Sequence, residues 1–217
     1  MNAFVADAQQ FLPLLLQGAV VTVLLTICTL ILSTLLGFVW ALLRMSRVAV
    51  VSTAARYIIN VIRGIPILVQ LYYIYFVLPD WGIKLDPFQA GFIGLGIAYS
   101  AYQAEIFRAG LESVDKGLIE AAHSLGMGKV LTMRRLILPL AVRVILPPYG
   151  NVMIMILKDT SIASTITVAE LSHSGQLIAL STFKNTVVYT LVALLYLAMS
   201  LPLSKMTSKL ERRFAQR

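Results

Sequence analysis

The chain is poor in the residues that carry most enzyme and metal chemistry. It has one cysteine, Cys28, two histidines, His123 and His173, and only 13% charged residues over 217 positions. A lone thiol leaves no intramolecular disulfide to form, and Cys28, His123 and His173 make no spaced metal set. No nucleophile and base converge in the sequence, which argues against a membrane-embedded enzyme. A Gly-rich phosphate loop of the GxxxxGK[ST] type is absent, so the chain does not bind ATP in the P-loop manner. It also lacks a basic domain with interleaved aromatics: the net charge of +8 is spread between hydrophobic runs, which excludes a nucleic-acid footprint and leaves membrane topology as its explanation.

Hydrophobic residues are abundant, at 59% of the chain with a mean hydropathy of +0.84. Lipid is the expected solvent, because apolar runs of about 20 residues cross a ~30 Å hydrocarbon core. The spacing predicts an all-α membrane protein, one domain over 1–217, with about five spans near 11–43, 57–78, 88–108, 136–157 and 186–204. Before the first run stand Asp7 and no Lys or Arg, so a cleaved signal peptide is not expected and the first helix should be retained. Arg63-Gly64-Ile65-Pro66 enters the second run, where proline removes a backbone donor and disfavours helix at the residue before it, so that end should be kinked or irregular. The stretch from Lys158 to Asn185 mixes hydroxyl and apolar residues without a bilayer-length run and reads as a loop with a short helix.

Arg44, Arg47 and Arg56 follow the first run, Lys116 to Arg135 lie in the loop at 109–135, and Lys205, Lys209, Arg212, Arg213 and Arg217 follow the fifth. The positive-inside rule places these three segments in the cytoplasm, with the N-terminus outside and the C-terminus inside.

The loop at 109–135 is the longest stretch of soluble character and reads as short helices joined by a bend. Within it stands Glu120-Ala121-Ala122-His123-Ser124-Leu125-Gly126, followed after ten residues by Ile137-Leu138-Pro139. This resembles the EAA loop of importer-type ABC permeases. Small alanines let a short helix enter a groove on another protein, Gly126 permits a bend, and Glu120 supplies a charge contact. An ordinary amphipathic surface helix is the bland alternative. From about residue 14 onward the chain is similar to polar amino acid permeases: Tyr57 to Leu71 with Arg63, Gly64, Pro66 and Gln70, Glu105-Ile106-Phe107-Arg108-Ala109-Gly110, and Lys158-Asp159-Thr160-Ser161 carry the likeness.

The resemblance implies a type I ABC importer-like transmembrane domain in the bacterial cytoplasmic (inner) membrane. Its implied partners are a dimer of ATPase subunits, a second permease subunit, identical or homologous, and an extracytoplasmic solute-binding protein that delivers a polar amino acid. It implies Glu120, Ala121, Ala122 and Gly126 as the ATPase-coupling residues. No cofactor is expected in this chain, with ATP and Mg held by the partner ATPase.

Charged groups inside a span are costly and often functional. Glu105 and Arg108 lie three apart on one helical face and can pair. Arg143, two turns into the fourth span, can snorkel, pair with an acid, or meet a substrate carboxylate. Asn151, Lys158, Asp159, Thr160 and Ser161 cluster toward the other end of that helix, as a gate for a zwitterion or as an interfacial cap. Gly94 with Ala98 and Gly96 with Ser100 allow close helix contact, within the subunit or at a dimer seam. Pro139, Pro147 and Pro148 should distort the fourth span. Two rival functions are an ion-gradient-driven secondary transporter, against which stands the lack of a visible inverted repeat, and a non-translocating assembly subunit.

Overall fold

The computed structural model describes residues 2–215, with side chains over 4–212; Arg217 of the basic tail lies outside the described residues. Among the described residues nine α-helices follow in order: α1 (Asn2–Arg44), α2 (Ala49–Gly64), α3 (Ile67–Tyr72), α4 (Pro87–Glu112), α5 (Lys116–Ser124), α6 (Lys129–Thr132), α7 (Leu138–Asp159), α8 (Leu171–Thr182) and α9 (Asn185–Ala215). Single π-turns at Tyr73–Val77 and Met133–Ile137 and 3-10 turns at Leu78–Trp81 and Thr160–Ile166 extend α3, α6 and α7.

Helix α1 shows how a chain in lipid inverts the usual pattern. Val20, Leu24, Ile27, Ile31 and Leu35 recur at helical spacing and are exposed, whereas Thr22, Thr26, Thr29 and Ser33 form a buried stripe on another face. Lipid tails are as apolar as leucine, so the outward stripe costs nothing, and the small hydroxyl residues let a neighbouring backbone approach. That neighbour is α4. A Cβ on Gly37 would stand 2.9 Å from Cβ of Gln103, and one on Gly96 would stand 2.7 Å from Leu32. Leu25 packs near Gly91 and Arg44 pairs with Glu105, so the two helices run parallel.

Three stretches are long and apolar enough to cross a membrane: Phe4–Arg44, Lys129–Ile166 and Asn185–Arg212, with Ala49–Gly64 and Ile67–Trp81 as a bent pair. Helix α4 is absent from that set for a physical reason. Its Ala90, Gly91, Gly94, Gly96, Ser100, Ala101, Gln103 and Ala104 are buried by protein rather than lipid, so it is small and polar where an outer span is greasy. It is long enough, at 26 residues or ~39 Å. Asp86 and Gln89 close its first turn with a reciprocal capping box.

The second run departs from a continuous span over about 57–78. The irregularity at Arg63 to Pro66 is a full break, and the two helices meet at 97°. Pro66 withholds a donor, and Gln70 Nε2 compensates by donating to the carbonyls of Ile62 and Ile65, each at 2.8 Å. Helix α7 runs unbroken through Pro147 and Pro148; the irregular turn lies at Met133–Ile137, just ahead of Pro139. Gly94 meets Leu71 and Gly96 meets Leu32, so these small residues serve contacts within the subunit. Leu25, Leu71, Leu95, Tyr99 and Ile156 form one apolar core, and Leu15, Leu171, Ile178 and Val188 form another where α1, α8 and α9 meet.

Candidate functional site

The loop between α4 and α7 folds into two short helices set at a fixed angle. Asp115 caps α5 by accepting from the backbone N–H of Gly117 at 2.7 Å and of Leu118 at 3.2 Å. At the other end the N–H of Gly126 donates to His123 O at 2.9 Å and that of Met127 to Ala122 O at 3.0 Å. This pair of bonds is the Schellman termination, and it places Gly126 at φ 77°, the left-handed region that a Cβ opposes. His123 Nδ1 lies 3.0 Å from the carbonyl of Met127 and ties the turn further.

Of the residues of the Glu-Ala-Ala segment, Ala122 is buried while Glu120, Ala121 and Gly126 are exposed. Beside them stand Leu118, Leu125 and Val130, large apolar side chains left open, Leu125 and Val130 at 83% and 82% exposure. Sequence reasoning missed these three. Their signal was an apolar residue on either side of a glycine bend, in a loop otherwise charged.

At the end of α4 that leads into the loop, an ion chain ties α4 to α1. Arg108 donates from Nε and Nη2 to Glu105 Oε2 at 3.1 and 3.0 Å, also pairs with Glu112, and Glu105 in turn meets Arg44 at the end of α1. Glu105 and Arg108 are thus paired, but as part of a four-residue chain joining α1 to α4. Arg63 stacks over the Tyr102 ring at 5.3 Å, while Gly64 ends α2 and Pro66 opens α3.

The polar candidates on α7 divide. Arg143 is half-buried and, among the described residues, carries no ion pair or hydrogen bond; Asn151 and Lys158 are exposed. Asp159 accepts from the hydroxyl of buried Tyr99 at 2.5 Å, which fixes the end of α7 against α4. Thr160 and Ser161 donate back to the carbonyls of Leu157 and Lys158, the geometry of a helix cap. The structure therefore brings Asp159, Thr160 and Ser161 together at one helix end and leaves Arg143 and Asn151 apart from it.

A second polar centre was not legible. Glu170 is fully buried and caps α8, accepting from the N–H of Ser172 at 2.9 Å and of His173 at 2.7 Å, and from Tyr196 Oη at 2.6 Å. Thr22 Oγ1 stands 3.4 Å from it and accepts from the N–H of Leu171. One carboxylate thus joins α1, α8 and α9. Glutamate is not among the favoured capping residues, so nothing in the sequence marked it.

A parallel α1–α4 pair inside a lipid-facing bundle, with a capped helix displayed on a polar loop, marks a polytopic membrane protein. The chain belongs to the family of binding-protein-dependent transport system inner membrane components, whose model matches residues 33–216. It is accordingly a multi-pass inner-membrane permease component of the ABC transporter kind. It is 39% identical over 204 residues to the glutamine transport system permease protein GlnP of Escherichia coli, covering 93% of each chain. To the L-cystine transport system permease protein TcyB of Bacillus subtilis it is 39% identical over 206 residues, 94% of this chain and 88% of that one. Among solved structures, an amino acid ABC transporter described with histidines superposes with a TM-score of 0.89 at 39% identity, over 96% of this chain and 97% of that one. The MetNI methionine ABC transporter, at 19% identity and a TM-score of 0.79 over 94% and 98%, shares the fold.

Proposed function

We propose that this chain is the permease subunit of an ABC importer for a polar amino acid, driven by ATP hydrolysed on a separate subunit. The observation that carries the reading is the α5–α6 loop. It is a short helix capped at both ends, turned by Gly126 and showing apolar side chains to its surroundings. Three large apolar side chains, Leu118, Leu125 and Val130, left exposed on one charged loop support a protein partner. Glu120 adds a charge contact, and Ala121 and Ala122 allow a close fit.

In this reading the loop and the C-terminus face the cytoplasm and the N-terminus faces outward, as the Arg and Lys distribution favours. ATP and Mg reside in the ATPase. A second permease subunit, identical or homologous, completes the central pathway, and a solute-binding protein delivers the amino acid from outside. The likeness to glutamine and cystine permeases supports a zwitterionic polar substrate. Arg143, Asn151 and Lys158 are the polar side chains with capacity to meet it. Asp159, Thr160 and Ser161 are already committed to Tyr99 and to helix carbonyls, and they hold the mouth of that pathway in shape.

The test is co-reconstitution with candidate ATPase and binding-protein partners in liposomes, followed by uptake of labelled amino acids. Accumulation that needs both ATP and the binding protein is the expected result. Uptake driven by an ion gradient without ATP would refute the reading.

A further inference from the structure

Helix α2 is divided into three faces. Ala55 and Ile59 are buried, Ile59 against Ala101 and Ala104 of α4 with Trp40 beside them. Val50, Tyr57, Ile58 and Val61 make an exposed apolar stripe, Val50 at 78% and Tyr57 at 71%. Thr53, Arg56, Asn60 and Arg63 make an exposed polar stripe. A helix crossing lipid could not carry that polar stripe outward without a large penalty. The 97° turn at Pro66 removes the need, because it lays α2 across the direction of α3. Its contacts with Trp40, Ala101 and Tyr102 set it two to three turns before the end of α4 at Glu112, on the side of the bundle that carries the loop.

Cations are in excess there. Arg56, Arg63 and Arg108 all lie within electrostatic reach of Arg44, and Arg47 is exposed nearby. The carboxylates of Glu105 and Glu112 are taken by Arg44 and Arg108. Arg63 has only the Tyr102 ring, and Arg56 has no ion pair or hydrogen bond among the described residues. Unpaired guanidinium groups beside an apolar stripe match the two parts of a phospholipid, phosphate and acyl chain.

We propose that α2 lies in the membrane interface rather than across the bilayer, and that Arg56 and Arg63 bind the phosphates of anionic phospholipids. The apolar stripe enters the acyl region of the same leaflet. Lipid of this class thereby holds the break at Pro66 and the ion chain next to the docking loop.

The full chain, carrying Cys28→Ser, would be spin-labelled singly at Val50→Cys, Thr53→Cys, Tyr57→Cys, Asn60→Cys and Val61→Cys in vesicles of phosphatidylcholine and phosphatidylglycerol. Labels at 50, 57 and 61 should favour oxygen, and those at 53 and 60 a nickel chelate. Uniform preference for oxygen would mean that α2 crosses the bilayer, and shielding of 50 and 57 from both reagents would put a second protein copy on the stripe; either overturns the proposal. In parallel, phosphatidylglycerol retained over phosphatidylcholine by the purified chain should fall on the order of tenfold in Arg56→Gln/Arg63→Gln. It should persist in Arg56→Lys/Arg63→Lys and in the tail variant Lys205→Gln/Lys209→Gln. Unchanged selectivity in the glutamine variant, or equal loss in the tail variant, would overturn the proposal.

Discussion

At Gly126 the backbone takes φ 77°, and the two hydrogen bonds that end α5 exist only in that conformation. A β-branched side chain opposes it by roughly 1–2 kcal/mol, whereas asparagine tolerates it. Gly126→Val should therefore insert normally and lose most ATP-driven uptake, and Gly126→Asn should keep a large part of it; vesicle transport assays with an insertion control distinguish them. Glu170 works differently, as one buried acceptor for four donors, the Thr22 hydroxyl among them at 3.4 Å. Glu170→Ala strands the Ser172 and His173 N–H groups and the Tyr196 hydroxyl, at about 1–3 kcal/mol each. Glu170→Gln retains an acceptor and should lose far less thermal stability in detergent. Sequence reasoning reached Gly126 because its spacing after the two alanines is a recognisable signature. Glu170 escaped it because burial and distance across 148 positions to Thr22 are properties of the folded chain.

At the scale of elements, the second helical run shows where sequence and structure part. Hydropathy reads 57–78 as continuous, and Pro66 warns of irregularity, but neither gives an angle. The 97° break follows from the missing donor at Pro66 together with Gln70, which satisfies the freed carbonyls of Ile62 and Ile65. Gln70→Leu removes both bonds and should cost about 1 kcal/mol or more, visible as a lower unfolding temperature. Helix α4 teaches the converse. Its small residues were legible as a packing surface, yet their partners, Leu32 and Leu71, needed the fold. A leucine at Gly37 would push α1 from α4, since an added Cβ alone would stand 2.9 Å from Gln103, so Gly37→Leu should destabilise the bundle by about 1–3 kcal/mol in the same assay.

On the scale of the whole molecule, two ends of one bundle do different work. The Asp7–Lys184 pair, at 2.5 Å, fastens α1 to the α8–α9 connection toward one end, and Glu170 joins α1, α8 and α9 about 22 Å further along α1, at Thr22. At the other, Arg44, Glu105, Arg108 and Glu112 tie α1 to α4, whose last residue, Glu112, leads into the loop that displays Leu118, Leu125 and Val130. Under the proposed function, a push on that loop would reach α4 directly and α1 through the Arg44–Glu105 pair. The charge distribution led to the expectation that the Arg44–Arg56 segment and the loop share a side, and Arg44 meets Glu105 near the end of α4 that leads into the loop. The Arg44–Glu105 pair was not legible, since it joins residues far apart in the chain. The most direct measurement places a photo-crosslinking residue at Leu125 in the assembled cell membrane, with Val20 on the lipid face of α1 as control. Capture of a P-loop ATPase from position 125 and not from position 20 is the result predicted here. If position 125 yields only lipid or no adduct while ATP-driven uptake continues, the loop is not the coupling surface.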